Sequence, residues 1–279
     1  MDQNEKAGEN KSANYLEYFK ALSIFLSSVV IALFGTFITA QYNLNQIQIN
    51  RNKELSVIIP KLASQDKTEK LQAIYTMSLY GKSSLLPLIS IWGTSPDYTI
   101  NLAISNSIVA IGESAIPTLL NVYQNIWEDN QTREWVLVTL FKLKYKGSNE
   151  LIRNAFQDAS TPYVIKCASV LGAGFLRYSE FAPTLKQFIE TFKSDTIHYK
   201  IVKNSVWALS FFSDSLIIKD IESAATFPDS RIQVEAVTGI ARLGSSVAGE
   251  VLSKYINEFP EGSLKDDAAY YMKMLNVNK

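Results

Sequence analysis

Cysteine and histidine are almost missing from the 279 residues: Cys167 and His198 each stand alone. A single cysteine excludes an internal disulfide framework. With one histidine beside it, metal centres built on several His or Cys ligands are excluded as well, so no metal is expected. Charge of one sign is also lacking. The 27 basic residues equal the 27 acidic ones, so no global field draws in nucleic acid or an acidic polymer. A glycine-rich phosphate loop is absent: Gly172-Ala-Gly174 has neither the preceding strand nor a third glycine, and no cofactor is expected. Sustained two-residue alternation is absent too, except over Phe141–Lys146. That run continues Val136, Leu140 and Leu143 at helical spacing, so helix is preferred to strand.

The longest absence is of charge itself, between Lys20 and Arg51. Within it, Ala21 to Ala40 is almost wholly apolar. Twenty such residues span roughly 30 Å as a helix, the thickness of a bilayer's hydrocarbon. Tyr15, Tyr18 and Tyr42 bracket the run, where rings favour the interface. A cleaved signal peptide competes, but the run exceeds the usual ~7–15 residues and the preceding region is acidic as well as basic. The expectation is a polar tail over 1–20, a transmembrane helix over 21–41, a juxtamembrane spacer helix over 42–54 and a repeat domain over 55–279. Positive charges balance across the span (Lys6, Lys11 and Lys20 before it; Arg51, Lys53 and Lys61 after it). A cytoplasmic repeat domain is preferred because acids dilute the first flank. Ser28, Ala32, Thr36 and Ala40 form a small-residue stripe that would let two membrane helices pack as a homodimer. Many transmembrane helices carry such residues without pairing.

What is abundant is apolar side chain, 47% of the chain, arranged in a repeat. Asp229 to Gly244 recurs as Asp66 to Gly81 and Asp97 to Gly112. Apolar residues match at Leu71, Leu102 and Val234, then Met77, Ile108 and Ile240, then Tyr80, Ile111 and Leu243. The Asp suits an N-cap and the Gly a residue of positive φ just past the helix. A second device marks first helices: Ile59-Pro60, Leu86-Pro87, Ile116-Pro117 and Ala182-Pro183, with proline at the first turn. Seven units follow, with second helices predicted at roughly 67–80, 98–111, 131–146, 161–174, 196–212, 230–243 and 264–275. Asn130, Ser160 and Asp195 are the expected starts of the three degenerate ones, and Gly147 the clear closing glycine.

These residues resemble the HEAT-repeat family, with its PBS-lyase-type and armadillo relatives, over about 55–279. The resemblance implies an all-α architecture, an α-solenoid or superhelix of about seven HEAT-like helix pairs, and the apolar run before it adds one transmembrane helix. It implies that second helices line a concave face and that the domain binds a protein partner as a scaffold or adaptor without catalysis of its own. In that family an Arg often follows the cap Asp by four positions; here Lys70, Asn101 and Gln233 stand there.

Candidate sites are few. Residues 131–177 carry seven basic side chains against three acidic ones. Arg133, Lys142, Lys146, Arg153, Lys166 and Arg177 could align as a partner-binding patch, the alternative being a solvated face. His198 reads as a surface or capping residue, Cys167 as a core residue, and the acids Glu128-Asp129 and Asp266-Asp267 as helix N-terminal charges, so no catalytic residue is assigned. Trp92, Trp127, Trp135 and Trp207 are expected in the core. The rival functions are a HEAT-like enzyme or enzyme accessory, lyase-like or acting on nucleic acid, and an exported binding array outside the membrane.

Overall fold

The structure, a computed structural model, describes Leu26 and residues 34–92, 94–125, 129–195, 197–212, 217–243, 246–258 and 262–277. The chain divides into two compact units, Met1–Ile58 and Ile59–Lys279.

In the first unit, residues 34–58 form one uninterrupted helix, α1. The expected passage from membrane span to spacer near residue 42 leaves no break in it. The expected tail over 1–20 lies outside the described residues, as do 21–33 apart from Leu26, with Ser28 and Ala32 of the small-residue stripe. Thr36 and Ala40 are exposed on α1. Among the described residues, no single helix is long and apolar enough to cross a membrane. The expected transmembrane span is therefore not seen as such, because most of it falls outside them. Four apolar side chains of α1, Phe34, Phe37, Ile38 and Tyr42, are each between 61% and 65% exposed.

The second unit is helical throughout, with no strand among its described residues. After a 3₁₀ turn at Ile59–Ala63 come α2 (Lys67–Met77), α3 (Leu85–Trp92), α4 (Tyr98–Ile111), α5 (Ile116–Gln124), α6 (Asn130–Lys142), α7 (Ser148–Gln157) and α8 (Tyr163–Phe175). There follow α9 (Ala182–Phe192), α10 (Tyr199–Leu209), α11 (Ile217–Ala224), α12 (Ser230–Leu243), α13 (Ser246–Glu258) and α14 (Ser263–Val277). From α3 onward each odd-numbered helix packs on the even-numbered helix that follows it. The even-numbered helices pack on one another in chain order: α2 on α4, α4 on α6, and so on to α14. That order defines a solenoid: each pair covers the apolar stripe of the pair before it.

Of the apolar positions matched in the repeat, Met77, Ile108 and Ile240 are fully buried, Leu71, Leu102, Tyr80, Ile111 and Leu243 are half-buried and Val234 is exposed, so the core stripe runs beside the first matched set. Ile74 and Met77, Ile104 and Ile108, Leu137 and Leu140, Val202 and Val206, and Ala236 and Ile240 have no solvent exposure. Burying each Val, Leu, Ile or Met among these stabilises the stack by about 1.5–3 kcal/mol. A buried polar contact crosses the α4–α6 seam, where the hydroxyls of Ser105 and Thr139 meet at 2.9 Å.

Caps fix the register. Asp66 accepts from the backbone N–H of Thr68 and Glu69, and Asp97 from that of Thr99. Gly112 ends α4 at φ 84°, and there the chain bends by 106° into the next helix. At the degenerate units the details differ from expectation. The cap of α6 is Asp129, which accepts from the Thr132 N–H, not Asn130. The N-cap of α8 is Pro162, while Asp158 rather than Ser160 is the side-chain acceptor in the preceding turn. Asp195 accepts from the N–H groups of Ile197 and His198, ahead of α10.

Nor does Gly147 close α6: its φ is −81° and it stands at the N-cap of α7. The left-handed residue is Lys144, at φ 52°. The Tyr145 N–H bonds to the Leu140 carbonyl and the Lys144 N–H to the Phe141 carbonyl, a Schellman closure. Arg177, at φ 55°, closes α8 in the same way through Tyr178 and Ala173.

Candidate binding groove

A groove of about 650 Å³ runs over the second helices α4, α6, α8 and α10. Its walls follow from helical spacing. On α6, Val136, Leu137, Leu140 and Phe141 point into the stack. Trp135, Val138 and Lys142, three and four residues apart, therefore fall on the opposite side and line the groove. The neighbouring helices contribute Tyr98 and Leu102 from α4, Val164, Leu171 and Phe175 from α8, and Lys200 and Trp207 from α10.

The rings gather at two corners. Tyr98 and Trp135 stand 5.5 Å apart between centroids. Phe175 lies 5.3 Å from Trp207, which in turn lies 4.6 Å from Phe211. Tyr98 is 68% exposed and Phe175 50%, so both corners leave aromatic surface uncovered. The expectation that the tryptophans serve the core holds for Trp92, which is buried and donates to the Asn101 carbonyl at 3.2 Å. Trp135 and Trp207 instead line the groove, and Trp127 lies outside the described residues.

Between the corners, Glu134 of α6 and Lys200 of α10 pair at 2.9 Å, reaching across the α8 face. Burial pushes the Lys200 amine down, but Glu134 more than offsets it and holds the amine above its usual range. Lys142 has no acidic partner among the described residues. Its amine donates to Asn106 Oδ1 at 3.1 Å, and burial pushes its pKa down. Near Tyr98, the Ser95 carbonyl accepts from both Asn101 Nδ2 and Gln131 Nε2. Asn101 is 2% exposed, and its Oδ1 has no hydrogen-bond partner among the described residues.

Of the six basic residues singled out in the sequence, Lys142 alone lines this groove. Arg133 borders a separate cavity of about 390 Å³, donates to the Tyr123 carbonyl and lies 5.4 Å from that ring's centroid. With Asp129 as the cap, Arg133 is the residue four positions on. Asn101 and Gln233 hold the same register, and each likewise bonds a carbonyl in the turn before its helix. The bonds made by Asn101, Arg133 and Gln233 thus stay within their own units. Arg153 donates to Asn149 and lies 5.6 Å from the Phe181 ring centroid. Lys166 is half-buried near Asp158; Lys146 and Arg177 are exposed. Lys142, Arg133 and Arg153 thus have different surroundings: the groove, the smaller cavity and the Phe181 ring.

Cys167 is buried, and desolvation pushes its thiol up to about 11, leaving it protonated and unreactive. His198 sits at the start of α10, its ring bonded to Asp195 and packed against Tyr163 and Phe192. A second depression of about 650 Å³, bordered by Leu62, Lys70, Pro87 and Ile91, has no aromatic lining.

No protein-family model matches the chain. No curated protein matches it either. Among solved structures it is similar to the complex of CpcE and CpcF of phycocyanin lyase from Nostoc sp. PCC7120, at 15% identity and a TM-score of 0.43, over 79% of this chain and 94% of that one. A designed armadillo repeat protein is similar at 14% identity and a TM-score of 0.41, over 80% of this chain and all 100% of the other. Human deoxyhypusine hydroxylase follows at 11% identity and a TM-score of 0.36, over 82% and 98%. Similarity at this level extends no further than helical repeats. The class is set by the chain's own stacking: it is a helical-repeat α-solenoid.

Proposed function

We propose that the chain is a HEAT-like scaffold that docks a protein partner in the groove of its second helices and performs no catalysis itself. The observation that carries this reading is the pair of uncovered aromatic corners flanking a self-neutralised Glu134–Lys200 pair. Large rings in partly desolvated surroundings are the usual energetic anchors of a protein interface. Affinity capture of partners by the full chain and by Trp135→Ala tests it. Partners lost with the variant at unchanged helicity and Tm support the groove; an unchanged set of partners contradicts it.

In this reading the array is tethered to a membrane by residues 21–41, with the repeat domain on the cytoplasmic side. The support is the charge-free run of the sequence and the exposed Phe34, Phe37, Ile38 and Tyr42 of α1, which lipid would cover. Tethering raises the effective concentration of partners on the same surface. The small-residue stripe Ser28, Ala32, Thr36 and Ala40 offers a contact to a second copy there. Alkali extraction of membranes is the check: retention in the pellet supports the tether, and release to the supernatant removes it.

A further inference from the structure

The groove has one amine with no acidic counterpart among the described residues and uncovered aromatic surface at two corners, and together they describe what fits there. Lys142 is half-buried and lacks an ion-pair partner among the described residues, whereas Lys200 is answered by Glu134. A partly desolvated cation is favourable only when paired. The lining crosses four successive helices, a span that an extended chain covers with the fewest residues. The aromatic corners at Tyr98–Trp135 and Phe175–Trp207 supply stacking surface for large apolar side chains.

We propose that the groove takes an extended segment of the partner protein that carries a large apolar side chain and, a few residues away, a carboxylate that pairs with Lys142. This rests on the reading of the groove as a docking surface. The segment's length follows from packing. Crossing from α4 to α10 takes three helix-to-helix steps of roughly 10 Å each. At about 3.3 Å per residue, roughly nine extended residues span them. Its charge follows as well: basic segments meet Lys142 and Lys200 as like charges, with only Glu134 against them.

The test is a selection of random nonapeptides displayed on phage against the full chain in detergent, followed by anisotropy titrations of the recovered peptides. The expected sequences share an aromatic or branched aliphatic residue and an Asp or Glu a few positions away. Lys142→Gln is expected to weaken them roughly tenfold, as loss of one charge-assisted contact does, and raised salt to weaken them further. Trp135→Ala is expected to weaken them more than tenfold, and Ile197→Ser, an exposed position outside the groove lining, not at all. If binding depends on Trp135 but is indifferent to Lys142, or favours basic peptides, the groove remains a docking surface and the acidic partner is overturned. If no peptide is recovered, or none is sensitive to either residue, both readings fail.

Discussion

Glu134 and Lys200 belong to the third and fifth helix pairs, yet their side chains meet at 2.9 Å over the helix between them. Cys167 of α8 lies buried close to both charges. Glu134→Gln should therefore remove the group that holds the Lys200 amine above its usual range. Burial alone then acts, and the amine's pKa falls. The wild-type contribution is present below the lysine value of the unfolded chain and is lost as pH rises through the folded one. Lys200 is 41% exposed and Glu134 17%, so screening limits the loss to about 0.5–1 kcal/mol. Thermal melts of both proteins at pH 7 and pH 11 check it: the gap narrows at the higher pH.

Helix α6 should depend on Asp129 and not on the neighbouring Asn130. Asp129→Ala removes an acceptor for the Thr132 N–H and should cost about 1–2 kcal/mol. Asn130→Ala should stay within about 0.5 kcal/mol. Burial pushes the Asp129 carboxyl up, but the hydroxyl and N–H of Thr132 outweigh it and hold it below the usual range. Its contribution is thus present above the unfolded carboxylate value and disappears as pH falls through the folded one. Denaturant midpoints of the three proteins at pH 7 and pH 3 separate the two positions.

These caps mark how far the sequence could be read. Asp66, Asp97 and Asp229 were legible because a side chain bonding its own nearby backbone is a local event. All seven second helices stand where the periodicity placed them, with boundaries shifted by a few residues. At α6 the one-residue error, Asn130 for Asp129, also concealed Arg133 as the fourth residue after the cap, and it was counted as surface charge. The closures at Lys144 and Arg177 could not be read, since nothing in either side chain announces positive φ. The groove was missed for a different reason. Which arc of a helix faces open space depends on its neighbours, so Trp135 and Trp207 looked like Trp92. A signal was present: Trp135 and Val138 form a second apolar line on α6, apart from the core line of Val136, Leu140 and Phe141.

The left-handed closures store strain that glycine would relieve. Lys144→Gly and Arg177→Gly should each raise stability by about 0.5–1 kcal/mol, although both shorten a side chain. Glycine has the opposite role within α8, where a Cβ at Gly174 would lie 2.7 Å from Ala208 Cα. Gly174→Ala should cost about 1–3 kcal/mol by forcing α8 away from α10. Urea titrations of the three variants test both signs at once.

Glu235 of α12 carries a buried carboxylate with incomplete compensation. Burial raises its pKa, and Arg242, 3.8 Å away, and Lys203 offset this only in part. Ionised Glu235 therefore opposes folding above its folded pKa, and the opposition fades as pH falls through that value towards the ordinary carboxylate value. Glu235→Gln should raise Tm at pH 7–8, with a gain that closes near pH 4. A gain independent of pH would contradict the assignment.

The central claim is that the open face of α4, α6, α8 and α10 is where another protein docks. A photo-crosslinking residue at Phe175, in the groove, compared with one at Leu79, exposed on the 3₁₀ turn after α2, tests it inside cells. The expected result is a discrete protein adduct from position 175, abolished by Trp135→Ala, and none from position 79. Equal adducts from both positions, or an adduct from 79 alone, would contradict it.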